Sequence, residues 1–250
     1  MESEVMHRVM TPKGEVTYHR YSLAPDEPVL PDLVKLYQDV FADPPWNECL
    51  KCTACERKFS RQWAFVREDR FGHSRDCDRC EVEGTVVPFW SDEVVVGDFR
   101  GVLLGRNASC YLARCGTEVI GFTYGREYGA EELAHELKLP ATAAALLRGY
   151  GTEARYAYQD EIAVASAYRQ LGVAKELFRL RQKDFEANGL TVGVTRTQTR
   201  PQTVTFSWYT RMQYAIVAAY GDDGARVILA QRLSDVQITP FVARARGIEE

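Results

Sequence analysis

The chain has 250 residues, 46% hydrophobic and 26% charged, with a formal net charge of −4. That length suffices for one large domain or a domain with an insertion, and the balance is that of an ordinary globular protein. The net acidity excludes a general polyanion binder, no apolar run approaches the ~18 residues of a membrane span, and the start MESEVMHRVM lacks a signal-peptide core, so a cytoplasmic protein is expected.

Residues 1–13 are expected to be a flexible arm. Gly14 to Leu23 alternates as a first strand, with Val16, Tyr18 and Arg20 on one face. Pro31 to Phe41 places Leu33, Leu36, Tyr37 and Val40 at helical spacing, with proline at the start where its missing N–H costs little. The Pro44-Pro45 pair stops that helix.

Residues 49–80 read neither as a helix nor as a strand pair. Four of the seven cysteines form two hooks, Cys52-x-x-Cys55 and Cys77-x-x-Cys80, separated by 21 residues. In a reducing compartment this spacing points to a four-thiolate zinc site rather than disulfides. Cys49 is an alternative ligand and His73 a weaker one. Four thiolates leave a metal no open position, so the zinc is read as structural, folding a stretch too short to bury its own core. Basic residues such as Arg57, Lys58 and Arg61 interleave with Phe59 and Trp63, which also suits a nucleic-acid ribbon. The acids among them dilute that patch, and nucleic acid is not the expected partner.

After Phe89 the segment SDEVVVGDFRGVLL offers Ser91 as an N-cap, although Gly97 and Gly101 weaken the helix. SCYLARCG and TEVIGFTYGREYG are two strands joined at Cys115-Gly116. Cys110 and Cys115 read as buried small apolar residues. Glu131 to Arg148 is Ala- and Leu-rich and helical, interrupted by Pro140.

Tyr156 to Ala165 is the central strand, with Ile162 and Val164 alternating with Glu161 and Ala163. It turns into a helix that stops at Asn188-Gly189. The turn carries Arg169, Gln170, Leu171, Gly172, Val173 and Ala174, a segment with little side-chain bulk at a helix N-terminus. Unpaired N–H groups and the helix dipole there can hold a phosphate, Gly172 admits a bulky anion, and Arg169 supplies positive charge. Leu190 to Thr197 is the next strand, residues 201–214 begin a helix, and two further strands bring the chain to about Leu233. Residues 234–250 are a tail.

The turn resembles the acetyl-CoA pyrophosphate loop of the GNAT N-acetyltransferase superfamily, Gln/Arg-x-x-Gly-x-Gly/Ala, filled here by Arg169, Gly172 and Ala174. A second match lies on the helix at 201–214, with Tyr209 37 residues after Gly172. There the superfamily often carries Asn-x-x-Ala…Tyr-x-Lys-x-Gly-Phe, and this chain has Gln202, Thr205, Tyr209, Arg211, Gln213 and Tyr214. Gln in place of Asn and of Gly makes this match imperfect. The resemblance implies an α/β (α+β) fold over residues 14–233, with a GNAT-like mixed, mostly antiparallel central sheet flanked by helices. Into it are set the zinc-ribbon-like loop at about 49–80 and the helical insertion at about 130–150, which lies where the superfamily often has a short connection and could cover the substrate or make a homodimer contact.

The resemblance further implies acetyl transfer from acetyl-CoA to a small-molecule or peptide amine by direct attack. Ile162, Ala163 and Val164 would pair with the pantetheine arm, and Gln202 would join the coenzyme site. Glu161 is the candidate general base, directly or through water, with Asp160 on the other face as the reserve. A backbone N–H near Ile162–Val164 would meet the oxyanion, and Tyr209 would protonate the leaving thiolate. The zinc module falls in the segment that borders the acceptor pocket in the superfamily, and is expected to shape it. Two rival readings remain. One is an acyltransferase using another CoA thioester. The other is a non-catalytic zinc-ribbon module, binding nucleic acid or protein, with a degenerate transferase domain.

Overall fold

The chain opens on a strand, β1 (Val5–Thr11), which pairs antiparallel with β2 (Gly14–Arg20). A flexible arm was expected over this stretch, and the structure corrects that. The Thr11 hydroxyl donates to Gly14 O (2.8 Å) and accepts the Lys13 N–H (3.2 Å), which closes the turn. The strand lies at one edge of the sheet with most of its residues exposed, so it carries no alternation to betray it. The computed structural model describes residues 5–44, 46–64, 76–80, 82, 85–139, 147, 149–151, 154–200, 203–220 and 224–236.

The chain divides into two compact units, Met1–Asp26 with Val102–Glu250, and Glu27–Gly101. The second unit is thus wider than the expected insertion at 49–80. It holds α1 (Pro31–Ala42), which buries Leu33, Leu36 and Tyr37 as their helical spacing predicts, with Phe41 buried and Val40 half-buried. It also holds a three-stranded antiparallel sheet of β3 (Leu50–Cys52), β4 (Lys58–Phe59) and β5 (Val86–Pro88), in the order β4-β3-β5. Strands here were not expected, because each is only two or three residues long. Helix α2 (Asp92–Leu103) follows, running through both Gly97 and Gly101. Residues 65–75, with His73, lie outside the described residues.

The larger unit is built on an eight-stranded sheet. Its remaining strands are β6 (Ser109–Cys115), β7 (Glu118–Tyr128), β8 (Tyr156–Val164), β9 (Val192–Gln198), β10 (Ala215–Tyr220) and β11 (Arg226–Arg232). The order is β1-β2-β6-β7-β8-β9-β11-β10, and among the described residues every pairing in it is antiparallel except β8 with β9. Among the described residues the sheet is accompanied by α3 (Ala130–Glu136), α4 (Val173–Ala187) and α5 (Val204–Arg211). This is the mixed, mostly antiparallel sheet flanked by helices that the resemblance implies.

Helix α4 packs on β6, β7 and β8. Its Val173, Leu177 and Leu180 join Val16, Tyr18, Ile120 and Val164 in one core. A second core gathers Tyr128, Leu133, Tyr156, Tyr158, Val192 and Ile228, with α3 supplying the Leu133 lid. The expected helical insertion therefore begins as α3, and residues 140–146 of it lie outside the described residues.

Candidate active site and metal centre

The single parallel pair is short. β8 meets β9 only at Tyr156–Tyr158 against Val192–Val194, after which β9 pairs on with β11 alone. Beyond Tyr158 the two strands part, held at the fork by the Thr195 hydroxyl donating to Gln159 O (3.0 Å). The parting begins at a bulge. The β7–β8 register steps from Tyr124↔Glu161 to Arg126↔Tyr158, so Gln159 and Asp160 together oppose Gly125. A bulge interrupts period-two alternation, so the expectation that Asp160 and Glu161 face opposite sides has no regular strand to rest on there.

Both acids are half-buried. Glu161's charge bears on the Tyr209 phenol, and Asp160's on the Tyr128 phenol. Past the bulge, the Ala165 N–H donates to Ile120 O (2.9 Å). In an antiparallel ladder this turns the backbone groups of Ala163 and Glu161 toward β7, and those of Ile162 and Val164 toward the fork. Among the described residues no strand lies beside that edge.

The turn after β8 has two left-handed residues, Gln170 (φ 64°) and Gly172 (φ 84°). Gly172 is the N-cap of α4, and no side chain caps it. The first bond of that helix runs from the Glu176 N–H to Gly172 O (3.1 Å), which leaves the N–H groups of Val173, Ala174 and Lys175 without intrahelical acceptors. The Arg169 guanidinium folds back, donating from Nε to Val164 O (3.2 Å), and so ties the turn to the edge of the fork. The open strand edge thus leads through the turn directly into the helix start.

Tyr209, on α5, is 1% exposed. Its hydroxyl donates to Gln159 Oε1 (2.9 Å) and accepts from Arg181 Nη2 (3.2 Å). Burial pushes the phenol up, and the charge and hydrogen bond of Arg181 pull it part of the way back. Gln159 also donates from Nε2 to the Tyr214 hydroxyl (2.7 Å), through space that only a glycine at 193 leaves open. Neither Gln159 nor Arg181 was singled out from sequence. The signal for Arg181 was available: it stands three residues after Phe178 and four before Phe185, inside the buried stripe of α4. Gln202 lies outside the described residues.

In the smaller unit the sulfurs of Cys52, Cys55, Cys77 and Cys80 all lie within 4.8 Å of one another. Cys52 to Cys80 and Cys55 to Cys77 are each 3.6 Å. A disulfide would need about 2.05 Å. A tetrahedron with Zn–S of about 2.3 Å has edges of about 3.8 Å, so the quartet has the dimensions of a thiolate metal site. Backbone N–H groups bear on the sulfurs, Ala54 and Cys55 on Cys52, and Arg79 and Cys80 on Cys77. Such donors favour thiolates. The first hook is closed by the Glu56 N–H on Cys52 O (2.8 Å), with Glu56 left-handed at φ 56°. Cys49 is not part of the quartet.

Among the described residues the buried core around the quartet is Cys52, Phe59, Cys77 and Val86, with Leu50 and Trp63 partly buried against it. Three of the basic residues that suggested a nucleic-acid face are engaged, Arg57 with Asp78, Lys58 with Glu48, and Arg61 with Asp39 and Asp43. Of the other two cysteines, Cys110 is buried and Cys115 half-buried. Among the described residues no helix is long and apolar enough to cross a membrane.

No family profile matches the chain, and no curated relative matches it. Among solved structures it is similar to one assigned to the GNAT acetyltransferases from Desulfovibrio desulfuricans, at 15% identity and TM-score 0.47, covering 87% of this chain and 99% of that one. It is similar also to the PaiA N-acetyltransferase of Thermoplasma acidophilum in complex with coenzyme A, at 13% identity and TM-score 0.47, covering 86% and 98%. A third is Arabidopsis thaliana NAA60 in complex with acetyl-CoA, at 14% identity and TM-score 0.44, covering 88% and 99%.

Proposed function

We propose that this chain, whose sheet is of the GNAT kind, is an N-acetyltransferase that moves an acetyl group from acetyl-CoA to an amine. One observation carries the reading: the fork between β8 and β9 opens beside a helix start that has a left-handed glycine and no side-chain cap. The N–H groups of Arg169–Ala174 would take the pyrophosphate. The edge of Ile162, Ala163 and Val164 would take the pantetheine arm, and Gln202 would add to the coenzyme site.

A lysine-like amine is protonated at neutral pH, its ordinary pKa being about 10.4, and must lose a proton before it attacks. Glu161, at the bulge, is the base, with Asp160 in reserve. Backbone N–H groups facing the fork meet the oxyanion, and Tyr209 returns a proton to the departing thiolate. Attack is direct, with no covalent intermediate. The acceptor is a small-molecule or peptide amine.

The cysteine quartet holds a structural zinc ion, since four thiolates leave no position for a substrate. Chain order alone suggests that this module serves the acceptor. The test of the function is calorimetry with acetyl-CoA, followed by thiol release across a panel of amines. Binding with release on at least one amine is expected. Absence of coenzyme binding removes the reading.

A further inference from the structure

Arg181 is 1% exposed, yet among the described residues no carboxylate is in ion-pair contact with it. Its four hydrogen bonds among the described residues all go to neutral acceptors. Nη1 donates to Tyr124 O (2.8 Å) and Glu161 O (3.0 Å), and Nη2 to Gln159 Oε1 and the Tyr209 hydroxyl (3.2 Å each). The first two carbonyls belong to facing residues of β7 and β8 where the bulge begins. The nearest acid on the helix, Asp184, is engaged by Ser109, Tyr111 and Arg20. A fixed cation taken out of water without an anion is costly, and carbonyl dipoles offset only part of that. The arrangement is suited to a site where negative charge comes and goes.

We propose that Arg181 is the positioning residue of the transfer site. Its guanidinium fixes the bulge that carries Glu161, and it is the resident countercharge for the Tyr209 oxygen when that hydroxyl gives up its proton. This rests on the transferase reading above. In the step itself the Oη–H bond of Tyr209 breaks and an S–H bond forms on the coenzyme A thiolate. The electron pair stays on Oη beside Nη2 of Arg181. The proton that Glu161 takes from the amine leaves to solvent, and solvent reprotonates Tyr209. The groups that bear on this phenol are Arg181 from α4, Gln159 and Glu161 from β8, Thr195 from β9, and Tyr214 before β10. Arg181 is the cation among them.

The test is a pH titration of the zinc-loaded full chain carrying ¹³Cζ-tyrosine, with the Tyr209 resonance assigned by Tyr209→Phe. In the wild type Tyr209 is expected to ionise before Tyr214, although both are fully buried. Arg181→Met should move the Tyr209 titration up by about one pH unit or more, the tenfold effect expected of losing one strong charge interaction. Arg181→Lys, which keeps the charge and loses the fork, should recover part of the shift. Tyr209 ionising no earlier than Tyr214 in the wild type overturns the proposal, and needs no variant to fold. So does an unmoved Tyr209 resonance in a folded Arg181→Met chain. Calorimetry with coenzyme A on the same samples separates the two levels. No binding by the wild type removes the transferase reading and this proposal together, whereas binding with an unmoved phenol removes this proposal alone.

Discussion

A Cβ on Gly125 would fall 2.2 Å from the carbonyl oxygen of Tyr158, and 3.1 Å from the ring of Phe185. The oxygen is backbone, so it can move only if the bulge in β8 moves. The bulge in turn starts the separation of β8 from β9. Gly125 is therefore a condition for the fork. Gly125→Ala is expected to lower stability by about 1–3 kcal/mol, the usual cost of overpacking, read as a lower urea midpoint. It should also weaken coenzyme A binding. A midpoint within error of the wild type would show that the bulge accommodates a side chain.

Gly172 combines a left-handed backbone (φ 84°) with a place at the uncapped start of α4. Gly172→Asp adds backbone strain of about 1–2 kcal/mol and a negative charge where a diphosphate is proposed to sit. Gly172→Asn adds much of the strain without the charge, since asparagine tolerates that conformation better than most residues. Calorimetry with coenzyme A should show the aspartate variant at least about tenfold weaker than the asparagine one, a gap of about 1.4 kcal/mol. Equal losses would mean that the turn matters for shape and not for an anion.

How far the sequence reaches is visible in these same residues. Strand β8, helix α4 and the Gly172 turn were legible because period-two and period-3.6 patterns meet at a glycine. The cysteine quartet was legible because ligand spacing is local. The bulge was not, since it depends on Gly125, more than thirty positions away in the chain, leaving room for Tyr158 O. Nor was β1, an exposed edge strand. Arg181 escaped because a charged residue inside an apolar stripe is easily assigned to the solvated side. Only the fold shows that its partners are four groups from three other elements.

The zinc proposal is tested by metal content and by tryptophan fluorescence. Trp63 stacks on Phe59 (3.9 Å between ring centroids) beside the quartet, and its Nε1 donates to Asp78 Oδ2 (3.3 Å). The ligands come from two hooks separated by 21 residues of chain, so binding free energy of the ion is folding free energy for this module. One zinc per chain is expected, with none in Cys77→Ser/Cys80→Ser and a red-shifted emission in that variant. The acceptor KM should rise before acetyl-CoA affinity falls. Equal loss of both would indicate general unfolding, and retained zinc would remove the quartet as its site.

Acid sensitivity should come in part from Glu127. Its carboxylate accepts from Arg155 Nε (3.1 Å) and Nη2 (2.7 Å), and from Asn107 Nδ2. Arg155 also donates from Nη1 to Asn188 O (2.8 Å), so the pair links the end of β7 to the C-terminal cap of α4. The hydrogen bond from Arg155, above all, holds the Glu127 carboxyl below the ordinary carboxylate value although the residue is buried. A folded-state pKa below the unfolded one stabilises the protein above the unfolded value, and that contribution is lost as pH falls through the folded one. Glu127→Gln keeps the shape without the charge. It should be less stable than the wild type at pH 7, and the gap should close as pH falls below about 4. Urea midpoints for the two chains between pH 7 and pH 3 decide this, and a gap that stays constant with pH would place the stabilisation in packing rather than in the ionised pair.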